Sequence, residues 1–366
     1  MKSFNNYYAL TAVLSAGIMI SSCGKSTVKP TPPVETTYVV STFAGSATAG
    51  SGDGTGTSAS FSSPSCVTVS SSGDLYVGDF ANSLVRKINL SSAAVTKFAG
   101  TGSQGLLNGP ALSAKFAGTA NIAFDKSGNL FVSDEENNCI REITSSGNVI
   151  TVAGSGVAGF QDGTATTAQF NHPEGLVADG SGNLYVVDGN NNAVRKVVIS
   201  SGVVSTLAGT GAQGFNDGAG ATAIFHSPYG IAMDGSGNLY IADIVNNRIR
   251  KIVISTGVVS TFAGTGTQGL GNGPKASATF FFPAGVAFDS KGNLFVGEIR
   301  NYTIRKIATD GTVTTFAGTG SQGSTDGDPA SASFYQPIGI TFDSSDNLYV
   351  ADEFNNKIRK ISVKQQ

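Results

Sequence analysis

Residues 225–273 read FHSPYGIAMDGSGNLYIADIVNNRIRKIVISTGVVSTFAGTGTQGLGNG. Four short runs in this stretch are rich in Ile, Val, Tyr and Phe: residues 230–234, 238–243, 248–253 and 258–263. Such residues suit the pleated, half-buried surface of a sheet. Gly235-Ser236-Gly237 and Ser255-Thr256-Gly257 lie between runs and tolerate the backbone angles of tight hairpins. The stretch therefore predicts four antiparallel strands in a meander.

The same pattern recurs along the chain. The Leu of the second run stands at Leu75, Leu130, Leu184, Leu239, Leu294 and Leu348, at steps of 54 or 55 residues. The Phe that opens each unit keeps that register at Phe61, Phe116, Phe170, Phe225, Phe280 and Phe334. Four short strands repeated at this period predict an all-β fold, a six-bladed β-propeller of four-stranded antiparallel blades. The last unit stops after its third run, at residues 357–361, and the missing fourth run stands at residues 38–45. The N-terminal strand is thus expected to complete the last blade and close the ring, leaving no open sheet edge at the seam.

Composition agrees. Gly supplies 48 of 366 residues, and charged residues are 13% against roughly 25% in an average domain. Lys and Arg number 23 against 25 Asp and Glu, so no basic footprint for nucleic acid exists. Nor does a chain with 40% hydrophobic residues and low net charge read as disordered.

The start of the chain is of another kind. Residues 9–20 form an apolar run too short to span a bilayer as a helix, and Ile20-Ser21-Ser22-Cys23 follows. This resembles the lipobox of bacterial lipoproteins, which implies a signal peptide at 1–22 and lipidation of Cys23. A Pro/Thr-rich tether would span 23–37, ahead of a propeller at 38–366. The expected location is the cell envelope, on the outer membrane, with the membrane reached through the Cys23 lipid anchor. Cys66 and Cys139 fall at different repeat positions and do not suggest a disulfide scaffold.

The motifs P-x-G-I-x-x-D, G-N-L-Y-V-A-D and N-N-R-I-R-K-I resemble the NHL repeat, carried best by Pro228, Gly230, Asp234, residues 237–243 and residues 246–252. The resemblance implies six blades with the P-x-G-I strand innermost. The units here are longer than usual for that family, the excess lying in the T-G-x-Q-G-x-x-D-G segment. Enzymatic relatives of the family include amidating lyases with several His around zinc. Only His172 and His226 occur here, too few for a three-His site.

Six internal copies separate scaffold from site. A residue present in every copy serves the blade. An acidic residue after each second strand is followed seven positions later by Arg: Asp79 and Arg86, Asp134 and Arg141, Asp188 and Arg195, Asp243 and Arg250, Glu298 and Arg305, Asp352 and Arg359. These are expected to be structural pairs, with a planar guanidinium taking the carboxylate bidentately. The steps at Asp53, Asn108, Asp162, Asp217, Asn272 and Asp326 read either as turn chemistry or as Ca²⁺ loops; the two Asn favour the turn.

Where copies disagree, a site is expected. The residues entering each inner strand are Ser62/Ser63, Ala117/Gly118, Asn171/His172, His226/Ser227, Phe281/Phe282 and Tyr335/Gln336. His172, Glu174, His226, Tyr229, Phe281, Phe282 and Tyr335 form the candidate ligand mouth, with a channel plug as the competing role for the three Phe and Tyr residues. No catalytic residue and no resident cofactor or metal is assigned. The expected function is non-catalytic binding or scaffolding for a protein or glycan partner through the long-loop face. The alternative is a metal-dependent hydrolase or lyase working at the mouth, as in other six-bladed propellers resembling sugar lactonases.

Overall fold

The computed structural model describes residues 37–364. The predicted signal segment, Cys23 and the tether as far as Thr36 lie outside the described residues. No described helix is long and apolar enough to cross a membrane.

Six antiparallel sheets form the blades, and their innermost strands touch one another in a closed cycle. Those inner strands are Pro64–Val69, Thr119–Phe124, Pro173–Ala178, Pro228–Met233, Pro283–Phe288 and Pro337–Phe342, defining blades 1 to 6. Blade 6 is completed by Tyr38–Ala44, which pairs with Lys357–Val363 from Tyr38 opposite Val363 onward. One blade thus joins both ends of the described chain, and the seam is hydrogen-bonded like any other strand pair.

The excess unit length has a use that its loop-like composition concealed. Gly54–Thr55, Gly109–Pro110 and Gly273–Pro274 add a short fifth strand outside blades 1, 2 and 5. Single bridges at Gly163–Val204, Gly218–Val259 and Val40–Gly327 do the same in the other three blades. Each long loop shields the outer edge of a blade before crossing to its inner strand, covering groups that would otherwise template aggregation.

The core is distributed between blades, with each hydrophobic cluster shared by two neighbours, such as Tyr240, Ile249 and Phe280 with Val286 and Leu294 between blades 4 and 5. The six unit-opening Phe are fully buried, each worth roughly 1.5–3 kcal/mol of burial. Every one lies under the guanidinium of its own blade's Arg, at 5.0–5.4 Å from ring centre to Cζ. Cys66 and Cys139 are both free and buried.

Glycine at the third position of the inner strand is required by proximity. A Cβ on Gly175, Gly230, Gly285 or Gly339 would collide with the backbone of the next inner strand. Blade 1 carries Cys66 there instead, and Gly78 on the adjoining strand leaves the room, since a Cβ at 78 would stand 2.6 Å from the Cys66 Sγ.

Candidate functional site: the mouth of the central channel

The Asp-x-x-Asn-Asn loops and the long Gly-rich loops meet on one face, because the Asn three positions after each loop's acidic residue donates to a glycine carbonyl of the long loop. Asn191 Nδ2 to Gly159 O at 2.7 Å is one of six such bonds. Beneath them lie six fully buried Arg side chains. Each acidic partner meets a single guanidinium nitrogen, Nη1, at 2.6–3.2 Å. The expected bidentate geometry is therefore corrected. Nη2 turns instead to the Asp or Asn of the long loop, at 2.6–2.8 Å. The fork is shared because the second carboxylate oxygen is needed elsewhere. It accepts the backbone N–H of Ser62, Ala117, Asn171, His226, Phe281 or Tyr335 at 2.7–2.9 Å.

The long-loop Asp and Asn side chains thus spend an oxygen on a cation already present. In three copies Asp also accepts from a backbone N–H of the neighbouring strand, as Asp217 does from Thr261 at 2.9 Å. Among the described residues no group of three or more His, Cys, Asp or Glu is placed to hold a metal ion.

The turns that enter the inner strands are held through their own backbone N–H groups, not their side chains. Ser63, Gly118, His172, Ser227, Phe282 and Gln336 all have positive φ, between 48° and 73°. At four junctions the N–H of this residue donates to an Asn of the preceding blade, as His172 does to Asn138 Oδ1 at 3.1 Å. The scaffold asks nothing of the side chains there, which explains why those side chains differ from copy to copy.

Each inner strand then opens on a bulge, with Pro173 opposite Asp188 but Leu176 opposite Val186 in blade 3. Bulges re-aim side chains. The residue after the opening position is Ser65, Ala120, Glu174, Tyr229, Ala284 or Ile338 in blades 1 to 6, so only blades 3 and 4 place a large polar group there. Tyr229 lines an axial cavity of about 290 Å³, together with Cys66, Asn121 and the aliphatic residues of the inner strands. Glu174 is accommodated by Gly189, where a Cβ would come within 2.8 Å of the Glu174 Cγ. The other tight loops carry Phe80, Glu135, Ile244, Ile299 and Glu353 at that place.

Two residues of this mouth escape the sequence reading, Glu135 and Glu353. Each follows a recurrent acidic residue and was hidden by it. The rule of looking where copies disagree, applied one position further, finds them. Glu135 Oε1 lies 2.7 Å from His172 Nδ1, joining blade 2 to blade 3. Glu353, from blade 6 on the opposite side of the ring, stands within charge–charge range of Glu174. Burial first, then Glu135 and Glu353, push the Glu174 carboxyl well above the ordinary range. Burial also raises Glu135, against the pull of His172, and brings Glu353 up to about 7. Tyr229 is pushed well up by burial and then by Glu174, Glu353 and Glu135.

The aromatic candidates gather elsewhere on the rim. Phe281 and Phe282 meet edge to face at 5.3 Å, and Tyr335 packs against Phe354 at 5.1 Å. None of these lines the axial cavity. The His226 ring makes no hydrogen bond to the described residues; only its backbone is engaged, with Asp243 and Val245.

The fold and repeat define a closed six-bladed propeller, and three of its units match a known repeat. Residues 61–88, 170–197 and 334–361 match the NHL repeat. The chain is similar to NHL repeat-containing protein 2 of Bos taurus, 29% identical over 272 residues, which cover 65% of this chain and 37% of the relative. It thus spans well under half the length of the known relatives it matches. Its fold resembles an auxiliary nutrient binding protein from Bacteroides ovatus, with TM-score 0.69, 16% identity and coverage of 90% of this chain and 78% of that one. It also resembles a catalytically inactive virginiamycin B lyase from Staphylococcus aureus with quinupristin, with TM-score 0.55, 17% identity and coverage of 89% and 100%.

Proposed function

We propose that this chain is a non-catalytic binding propeller of the bacterial cell envelope, anchored in the outer membrane through a lipid on Cys23. Its protein or glycan partner docks on the long-loop face around the central mouth. The carrying observation is the division of labour between copies. Recurrent side chains are consumed in the scaffold, while the turns at the mouth are fixed by backbone N–H groups and leave the side chains of Phe281, Phe282 and Tyr335 unused by that scaffold. The fold likeness to a nutrient binding protein is consistent with this reading. Binding of envelope polysaccharide and protein fractions tests it: Phe281→Ala and Phe354→Ala are expected to abolish capture with thermal stability unchanged. Capture indifferent to both substitutions, or none with the parent chain, would refute the docking face. Loss of palmitate labelling in Cys23→Ala tests the anchor; persistent labelling refutes it.

A second reading, a hydrolase or lyase at the mouth, is favoured by one contact. The Glu135 carboxylate orients His172 through Nδ1, leaving Nε2 as the ring nitrogen available to a substrate.

A further inference from the structure

One copy also departs from the rest away from the mouth. Each long loop gives a carbonyl to the N–H of the glycine that follows the preceding blade's fourth strand. Gly56, Ala111, Ala165, Gly220, Lys275 and Pro329 supply that carbonyl, at 2.8–3.1 Å. The scaffold uses only backbone there, and blade 5 alone places a long side chain at the position. Lys275 N–H donates to Gly311 O at 2.8 Å, and its stem lies over that glycine, where a Cβ would stand 3.6 Å from Lys275 Cδ. So held, its Nζ stands 4.1 Å from the centre of the Phe262 ring. Among the described residues Lys87 and Lys364 pair with Asp74 and Asp328, whereas Lys275 Nζ has neither ion pair nor hydrogen bond.

That ammonium borders a cavity of about 430 Å³ between blades 4 and 5. Met233, Tyr240, Phe262, Phe288, Leu294 and Ile307 give it an apolar lining. Tyr240 meets Phe262 at 4.8 Å and Phe288 at 5.0 Å, edge to face. Similar triads close two other junctions, Tyr76 with Phe98 and Phe124, and Phe295 with Phe316 and Phe342. The triad is therefore packing, and the lysine beside it sets this junction apart, since Ala111 and Pro329 stand at the equivalent place in the other two. The remaining charged groups of the lining are already spent. Asp234 accepts from Ser236 N, Asn238 N and Nδ2, and the Tyr240 hydroxyl. Asp289 accepts from Lys291 N and from Asn293 N and Nδ2. Ser290 donates to Asp346. An apolar cavity with one unspent charge at its edge is the usual form of a small-molecule site, the polar group fixing orientation.

The unspent group is a cation, so the ligand carries an anion. Asp234 and Asp289 nearby repel a second negative charge, which favours a carboxylate over a phosphate. The aromatic and aliphatic lining calls for an apolar body. We propose that the cleft between blades 4 and 5 binds a small organic monocarboxylate, its carboxylate on Lys275 Nζ and its apolar body against Tyr240 and Phe288. The cleft is built from the first hairpin turns of the two blades, at the end of the meander away from the tight loops of the mouth, so the inference is independent of the docking reading.

Calorimetric titration of the purified full chain with 3-phenylpropionate tests it, with 3-phenyl-1-propanol as the neutral match and benzyl phosphate as the dianionic arm. The carboxylate is expected to bind at least fivefold more tightly than either. Lys275→Met keeps the stem and removes the charge; it should weaken the carboxylate at least fivefold and leave the alcohol unchanged, while Lys275→Arg retains binding. Lys275→Ala, the residue that two other blades carry there, should act like Lys275→Met with the thermal midpoint unchanged. No binding up to 10 mM carboxylate, equal binding of the alcohol, tighter binding of the phosphate, or an affinity untouched by both Lys275→Met and Lys275→Ala would each overturn the proposal. Capture of an envelope partner by the long-loop face, and its loss in Phe281→Ala, should be unaffected by Lys275→Met, so the two readings fail separately.

Discussion

Arg250→Met isolates what the buried guanidinium does. In the parent chain Nη1 reaches Asp243 Oδ2 at 2.7 Å and Ile224 O at 3.0 Å, and Nη2 reaches Asp217 Oδ1 at 2.6 Å and Asn216 O at 2.8 Å. Met retains most of the apolar contact with Phe225 and removes every donor. Asp217 is 40% exposed and exchanges its lost bond for water. Asp243 is fully buried and keeps only His226 N–H and Asn246 Nδ2, both at 2.8 Å. Leaving one buried charge uncompensated costs about 3–5 kcal/mol. Asp217→Asn should cost under about 1 kcal/mol, because the partner is partly solvated. Blades 2 and 5 already carry Asn at that position, with Asn108 accepting from Arg141 at 2.7 Å. Urea unfolding followed by circular dichroism, with amide exchange resolved on blade 4, measures both variants. Asp243→Asn combined with Arg250→Met should recover part of the loss, since the stranded charge is gone. Burial already raises the Asp243 carboxyl, so the Arg250→Met penalty should shrink from pH 7.5 to pH 5 as a proton neutralises it. An Arg250→Met variant no less stable than Asp217→Asn, or a penalty independent of pH, would refute the reasoning.

Four further outcomes are expected. Burial raises Asp134 to about 6 and Glu353 to about 7, and a carboxyl raised on folding contributes stability that is present below its unfolded value and lost as pH rises through the folded one. The thermal midpoint should therefore fall from pH 5 to pH 7.5, and Glu353→Gln should flatten the upper part of that slope; a midpoint rising over this window would contradict it. Gly285→Ala drives a Cβ into the Ile338 carbonyl and should cost more than 2 kcal/mol, whereas Gly235→Ala, with open space around it, should cost under 1 kcal/mol in the same urea assay, both being order-of-magnitude values. Burial pushes the Cys66 thiol up to about 12 and raises Cys139, so thiol reagents at pH 8 should label neither until urea opens the ring. Ser83→Asn should raise the thermal midpoint, by a hydrogen bond worth about 1 kcal/mol. Ser83 Oγ is buried without a partner, Ser83 has φ 52°, and Gly118 N–H lacks the Asn acceptor that serves four other junctions.

The blades were legible because strand, turn and period all pointed the same way. Gly-rich hairpins bounded the runs, and the displaced strand at residues 38–45 announced its own pairing. What stayed hidden depended on contacts between segments far apart in the chain. The long-loop Asp lies 33 residues before the Arg it serves, so Asp217 and Arg250 look like separate motifs until the loop folds over the blade. The fifth strand was invisible for a similar reason, since two residues such as Gly273–Pro274 carry no strand pattern. Glu135 and Glu353 were concealed by the acidic residues before them. Their approach to Glu174 needs the geometry of a ring in which blades 3 and 6 stand opposite.

The structure also explains why the mouth can vary while the ring stays regular. A side chain is constrained only where the fold uses its atoms. At Gly230 the fold forbids any Cβ, and at Arg250 it uses both terminal nitrogens, so neither position has freedom. At His172 and Phe282 it uses the N–H, which every residue but Pro provides, together with a left-handed backbone angle. That angle carries a modest local cost for a residue with a Cβ. The clasp from the preceding blade's Asn offsets it, and it does so equally for Ser, His or Phe. Stability is thereby decoupled from side-chain chemistry at the ring of positions entering the inner strands. Asymmetric chemistry, with acids on blades 2, 3 and 6 and aromatics on blades 5 and 6, is carried by a scaffold that remains sixfold beneath it.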